Sequence, residues 1–129
     1  MACLVAFLDH LVLTVKDPEE TVRFYSRVLG MERIEFGEGR LALRFGAQKI
    51  NLHRKGEEIA PYAAHPTPGS ADLCLVASCP LEEVFAALSR EGVPVELGPV
   101  HRTGASGAIL SVYFRDPDGN LVEVSQYLQ

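Results

Sequence analysis

The chain has 129 residues, of which 47% are apolar and 22% charged, a composition typical of one globular domain (1–129) with a buried core. The formal charge is −5 and the longest basic run is Arg54-Lys55, so no nucleic-acid surface is expected. The apolar run Ala2 to Leu8 is too short to cross a bilayer and lacks a preceding basic segment, so neither a membrane span nor a signal peptide is expected. The cysteines are odd in number and lack CxxC spacing, which favours a reducing, cytoplasmic environment; they are Cys3, Cys74 and Cys79.

The first half of the sequence predicts a strand and then a helix. Leu8 to Val15 is a short apolar run typical of a strand. Asp17 is the predicted N-cap of the helix, Pro18 occupies the first helical position, and Glu20 completes a capping-box arrangement. Gly30 ends the helix. Three further strands are predicted after it: Arg33 to Phe36, Arg40 to Phe45 and Lys49 to His53.

The second half repeats this pattern at a constant offset of 62 residues. The matched pairs are Pro18 and Pro80, Gly30 and Gly92, Glu20 and Glu82, Val22 and Val84, and His10 and Asp72. Its predicted strands are Asp72 to Ala77, Val95 to Val100, Ala108 to Arg115 and Leu121 to Tyr127, with a tight turn at 116–120. Each half therefore reads βαβββ, with module 1 at about 4–53, a linker at 54–70 and module 2 at about 71–127. The class is α+β, and the sheet faces without helices can form a cup.

Side chains alternate between the two faces of a strand, which identifies the residues that look into the cup. His10 and Asp72 begin equivalent strands and face away from the helices. Aligning the final strands by Leu52 and Val122 makes His53 equivalent to Glu123. The resulting set suits Fe(II), Mn(II), Ni(II), Co(II) or Zn(II), and its predicted metal ligands are His10, His53, Asp72 and Glu123.

Each of these four residues also has a simpler interpretation. His10 could be a surface residue, Asp72 could end a loop, and Glu123 could pair with Arg44 or Arg115. Their joint placement on one face, at positions related by the repeat, favours a metal site.

The segment 98–107 is rich in glycine and is predicted to be a loop that can act as a lid. Its candidate substrate-binding residues are His101, Arg102 and Thr103, of which Arg102 could meet a substrate carboxylate. An ordinary exposed loop is the alternative. Cys74 lies on the same face as Asp72 and is predicted to line the pocket without being a ligand.

Three stretches resemble a known family: LDHLVLTVKDPEETVRFYSRVLGM, INLH and SVYFRDPDGNLVEVS. They are similar to the vicinal oxygen chelate superfamily, which includes glyoxalase I, extradiol dioxygenases, fosfomycin-resistance transferases and bleomycin-resistance proteins. The resemblance covers essentially the whole chain and is nearest to small glyoxalase-domain proteins of unassigned substrate. It implies paired βαβββ modules that form a cupped sheet, a homodimer, and a divalent metal that binds two adjacent oxygens of a small-molecule substrate.

The resemblance also implies an activity, which we expect to be that of a glyoxalase-like lyase or isomerase that stabilises an enediolate-like intermediate. Glu123 is the predicted catalytic base and Asp72 the reserve. Asp72 replaces the His usual in the transferases and dioxygenases, which argues against a dioxygenase. Extradiol ring cleavage and non-catalytic binding of a small molecule or antibiotic stay as alternatives. A thiol cofactor, and pairing of the modules within a chain or across a dimer, stay open.

Overall fold

The computed structural model describes all 129 residues and contains two helices and eight strands. In chain order the elements are β1 (His10–Val15), α1 (Pro18–Leu29), β2 (Glu32–Phe36), β3 (Arg40–Phe45), β4 (Gln48–Arg54), β5 (Asp72–Val76), α2 (Leu81–Arg90), β6 (Leu97–Gly104), β7 (Gly107–Arg115) and β8 (Leu121–Tyr127). Neither helix is long and apolar enough to span a bilayer.

Both helices begin and end close to the predicted punctuation residues. The Asp17 carboxylate accepts hydrogen bonds from the backbone N–H groups of Glu19 and Glu20, at 3.1 and 3.5 Å, and so caps α1. Gly30 follows the last turn with φ of 73°, a conformation that glycine adopts without steric cost. The first residue of α2, Leu81, donates its backbone N–H to the Gln126 side chain at 2.9 Å instead of to a capping side chain.

The strands form two four-stranded sheets with the same topology, which confirms the α+β class and the two βαβββ modules. The orders are β1-β4-β3-β2 and β5-β8-β7-β6. In each sheet the first and last strands of the module lie side by side in parallel, and the other pairs are antiparallel. β1 and β5 therefore occupy equivalent positions at sheet edges.

The two modules share one hydrophobic core. Its 17 buried residues come from both helices and from the helix-facing sides of both sheets. Because these sides meet in one core, the opposite, open faces of the sheets point outward. A cup between the two open faces does not form within a single chain.

The turn at 116–120 fastens the modules together. Buried Asp116 accepts a 2.8 Å hydrogen bond from the Tyr25 hydroxyl of α1. Asp118 accepts the backbone N–H of Lys16 at 3.0 Å. Within module 2, Asn120 accepts the backbone N–H of Ala71 at 2.9 Å. The DPDGN motif is therefore a turn whose side chains also hold the two modules in place.

The predicted loop at 98–107 is wrong: β6 and β7 form a hairpin through most of it. Gly98 has φ of 134°, and a Cβ there would lie 2.7 Å from the Ser111 carbonyl oxygen. This glycine permits close approach of two strands, which the sequence pattern could not distinguish from a flexible loop.

Candidate functional site

Four of the predicted site residues come together on the open face of the second sheet. A cavity of about 490 Å³ is lined by Cys74, Arg102, Thr103 and Glu123, together with Tyr113 and Tyr127. The pairing register of three neighbouring strands explains the cluster. Cys74 on β5 pairs with Glu123 on β8, and Glu123 pairs with Tyr113 on β7. The predicted catalytic carboxylate thus lies at the centre of a pocket.

His101 does not line this pocket in the single chain, so its predicted role in substrate binding stays a prediction. It pairs with Leu110, whereas its neighbour Arg102 pairs with Ile109. Because side chains alternate along β6, His101 points to the face opposite Arg102.

Two buried serines hold Glu123 in place. The Ser111 hydroxyl donates a 2.6 Å hydrogen bond to Glu123 Oε2, and the Ser125 hydroxyl donates one to the same oxygen at 3.2 Å. The serine oxygens are 2.6 Å apart, and both residues are fully buried. Glu123 Oε1 has no hydrogen-bond partner on the chain and is the oxygen left for a ligand or a proton.

Neither suggested arginine partner contacts Glu123. Arg115 binds Glu96 at 2.9 Å and Arg44 lies 3.8 Å from Glu32. Glu123 is therefore oriented by neutral hydroxyls and not by a neighbouring arginine. The simple interpretation of Glu123 as half of a structural ion pair is wrong.

Cys74 and Arg102 form the walls on either side of this carboxylate. The Cys74 sulfur lies 3.2 Å from the Ser125 hydroxyl. Desolvation of the thiol raises the pKa of Cys74, the nearby Glu123 and Asp72 charges add to this, and the Ser125 hydroxyl opposes it. The Arg102 guanidinium donates to the Tyr113 hydroxyl at 3.1 Å and lies 5.5 Å from the ring centroid. Cys74 is thus a poor nucleophile, and Arg102 a cation held by an aromatic ring.

The open face of the first sheet carries His10 and His53 far apart. His10 lies at the exposed start of β1, with Nδ1 2.8 Å from the Asp9 carboxylate. His53 is only 5% exposed and pairs with Thr14, four residues beyond His10. At about 3.3 Å per residue, the two histidines are separated by about 13 Å along the strand direction. They cannot bind the same ion in one chain.

The predicted equivalence of His53 and Glu123 is also wrong. Val12 pairs with Asn51 on β4, and Cys74, the repeat partner of Val12, pairs with Glu123 on β8. Asn51 is therefore the residue equivalent to Glu123, at an offset of 72 residues (51 to 123) in place of the expected 70. A shift of two residues keeps every side chain on its face, so alternation could not detect the error.

With this register, each sheet supplies a matching pair of donor residues. His10 and Asn51 form the first pair, and Asp72 and Glu123 form the second. The Asn51 Oδ1 atom is buried and has no hydrogen-bond partner. No group of three or more His, Cys, Asp or Glu residues within one chain could hold a metal ion. Within one chain the two pairs lie on separate sheets.

A second polar group on the first sheet was not predicted from the sequence. Arg40 Nε and His53 Nδ1 are both buried without hydrogen-bond partners. Burial and the Arg40 cation lower the pKa of His53, while Glu58 opposes the shift, so the imidazole is neutral at pH 7. Arg40 begins a strand, where a sequence pattern gives no sign that its charge is unpaired.

A larger cavity, of about 660 Å³, lies elsewhere, between the end of α1, the β3–β4 turn and the start of α2. Its lining is mainly apolar and includes Met31, Phe45 and Cys79. It contains none of the predicted metal ligands, so we place the chemistry on the open faces of the sheets.

The fold is that of a recognised class of proteins. The model of the Glyoxalase/Bleomycin resistance protein/Dioxygenase superfamily matches residues 7–124, and the chain belongs to this family.

Particular relatives are known in a bacterium and a fungus. The chain is 54% identical over 121 residues to virulence protein STM3117 of Salmonella typhimurium, covering 94% of this chain and 84% of that protein. It is 54% identical over 123 residues to glyoxalase domain-containing protein RDO1 of Mycosarcoma maydis, covering 95% and 69%.

Solved structures confirm the fold. The crystal structure of STM3117 superimposes with a TM-score of 0.95 at 52% identity, covering 98% of this chain and 100% of that one. Lactoylglutathione lyase from Agrobacterium tumefaciens superimposes with a TM-score of 0.74 at 25% identity, covering 96% of both chains.

Proposed function

We propose that this protein is a glyoxalase-like, metal-dependent lyase or isomerase that acts on a small molecule. The observation that carries the proposal is the pair of equivalent half-sites on two outward-facing sheets. Each site is completed when the first sheet of one copy meets the second sheet of another copy, so the active form is a homodimer.

The sheet edges beside the half-sites are suited to such pairing. β1 and β5 each have one unpaired edge. Exposed apolar side chains lie on or just before them: Val12 and Val76 are 45% and 62% exposed, and Phe7 and Leu8 are 72% and 56% exposed. Large exposed apolar patches on a small domain mark contact surfaces. If a second copy covered these residues, the half-sites of the two copies would come together.

The donor chemistry fits a divalent ion. His10 and Asn51 of one copy, with Asp72 and Glu123 of another, would supply one imidazole, one amide oxygen and two carboxylates. Such a hard, mixed nitrogen and oxygen set suits Mn(II), Fe(II), Co(II), Ni(II) or Zn(II). The unpartnered Asn51 Oδ1 supports this assignment, since a buried carbonyl oxygen normally has a donor or a metal.

The protein side chains divide the remaining work. A bound ion would polarise two adjacent substrate oxygens and so acidify the neighbouring C–H group. Glu123 accepts that proton at Oε1, because Ser111 and Ser125 hold Oε2. Arg102 binds a substrate carboxylate at the pocket wall while Tyr113 orients its guanidinium.

Metal titration tests this function first. The wild-type protein, stripped with chelator and reloaded, should bind about one divalent ion per chain. Glu123→Gln should weaken binding, whereas Glu82→Gln, in the first turn of α2, should not. Absence of binding under every loading condition would contradict the proposal.

Proton transfer provides the second test. The loaded protein should exchange the C–H proton next to the hydroxyl of S-lactoylglutathione, the compound for which the Agrobacterium relative is named, for solvent deuterium. Glu123→Gln should abolish exchange in a sample saturated with metal. Oxygen uptake with a catechol would favour ring cleavage instead. Tight ligand binding that is unaffected by chelator would favour simple sequestration.

A further inference from the structure

We propose that Arg40 and His53 form an oxyanion subsite on the open face of the first sheet, which binds the carboxylate or phosphate group of a small anionic substrate. The proposal rests on the proposed function only in identifying the anion as part of a substrate.

Arg40 is an unpaired cation in a place where arginine usually has a partner. Two other arginines on the open faces have carboxylate partners: Arg44 lies near Glu32, and Arg115 binds Glu96. Arg40 makes no ion pair within 4.0 Å, and its Nε is buried without an acceptor. A guanidinium in this state gains hydrogen bonds when an oxyanion arrives.

The surroundings hold this cation in position and place a second cation close to it. The Arg40 guanidinium carbon lies 4.7 Å from the centroid of the Phe36 ring, and Lys49 Nζ lies 4.1 Å from the same centroid. Two cations thus share one aromatic ring with no anion between them. An oxyanion would relieve their repulsion and fit the planar donor fork of the arginine.

His53 supplies a second hydrogen-bonding group beside the arginine. Arg40 precedes Leu41, whose partner across β3 and β4 is Leu52, so Arg40 lies across from His53. His53 is 95% buried (5% exposed) and its Nδ1 has no partner. An imidazole N–H can donate a hydrogen bond to an anion. The buried imidazole and the buried Nε together form a site built for an acceptor.

The position of this subsite indicates which part of a substrate it meets. His53 is two residues from Asn51 on the same face of β4. An anionic group bound by Arg40 would therefore sit one side-chain spacing from the proposed metal position. This arrangement selects substrates with an oxyanion close to the reacting oxygens, such as small oxygenated acids or phosphate esters.

Side-chain NMR of the histidines provides the test. The protein is kept in EDTA at constant ionic strength and titrated separately with inorganic phosphate and with acetate, while the His53 ring nitrogens are observed. Either anion should shift the His53 signals with a saturable isotherm, and the tighter of the two identifies the source of the oxyanion. Because metal is absent, this result is independent of whether the metal proposal holds.

Variants on one strand make the test specific. Arg40→Gln should weaken anion binding at least about tenfold, and Arg40→Lys should also weaken it because the planar fork is lost. Arg44→Gln, on the same strand and face but near Glu32, should leave it unchanged. The backbone amide spectrum of each variant verifies that it is folded. Unshifted His53 signals with both anions, or equal weakening by Arg40→Gln and Arg44→Gln, would overturn the proposal.

Discussion

The Ser111 hydroxyl donates a 2.6 Å hydrogen bond to Glu123 Oε2 from a fully buried position on the neighbouring strand. This contact fixes one carboxylate oxygen and leaves the other free. Ser111 takes no direct part in the proposed reaction. It matters because the orientation of Glu123, the proposed base, depends on its hydrogen bond.

Replacing Ser111 should therefore impair metal binding without unfolding the protein. We expect Ser111→Ala to weaken affinity for the divalent ion by about 10- to 100-fold, the effect typical of removing a group that orients a ligand. Isothermal titration calorimetry on chelator-stripped protein measures this. Ser89→Ala, near the end of α2, is the control. Equal affinities for wild type and Ser111→Ala would show that the contact does not orient the carboxylate.

The corrected register of the first sheet predicts different effects for two neighbouring residues. Asn51→Ala should weaken metal binding about tenfold or more, because it removes the buried oxygen equivalent in position to Glu123. His53→Gln should leave metal affinity nearly unchanged, since His53 lies beyond reach of an ion at His10. If His53→Gln weakened metal binding in the same titration and Asn51→Ala did not, His53 would be the ligand after all.

The Tyr25 hydrogen bond to Asp116 should make stability depend on alkaline pH. Burial, followed by the Asp116 charge and hydrogen bond, raises the pKa of Tyr25 above its ordinary value of 10.0. Above about pH 10 the unfolded state releases the tyrosine proton while the folded state keeps it. The contribution of Tyr25 to the free energy of unfolding is therefore complete below about pH 10 and declines above it, by about 1.4 kcal/mol per pH unit.

Tyr25→Phe tests this coupling. At pH 7 the variant should lose about 2 kcal/mol of unfolding free energy, the amount typical of a hydrogen bond to a charged group. Its stability should then fall less steeply than that of wild type above pH 10. Urea unfolding at several pH values measures both effects, with exposed Tyr62→Phe as the control. Parallel pH profiles for wild type and Tyr25→Phe would contradict the assignment.

Local signals in the sequence were sufficient for much of the fold. Asp17 and Gly30 mark the ends of α1 because capping depends on residues close in sequence. Alternation put Cys74 and Glu123 on one face, and in the structure both line the same cavity as Arg102.

Features that depend on contacts between strands could not be predicted from the sequence. The partner of His53 is set by register, which a period of two residues leaves undetermined. Gly98 was taken as a loop residue because its close contact with Ser111 involves a strand distant in sequence. Ser111 and Arg40 lacked any sequence signal, since their importance depends on whether neighbouring strands supply a partner.

The central claim is that the first sheet of one copy and the second sheet of another share a metal site. Hybrid dimers test it most directly: copies with His10→Ala are paired with copies carrying Glu123→Gln, and the hybrids are isolated by two different affinity tags. Each variant alone should bind little or no metal. In the hybrid, one site carries both substitutions and the other carries neither, so elemental analysis should find about one ion per dimer. Absence of metal in the hybrid, or full metal content in either variant alone, would contradict the shared site.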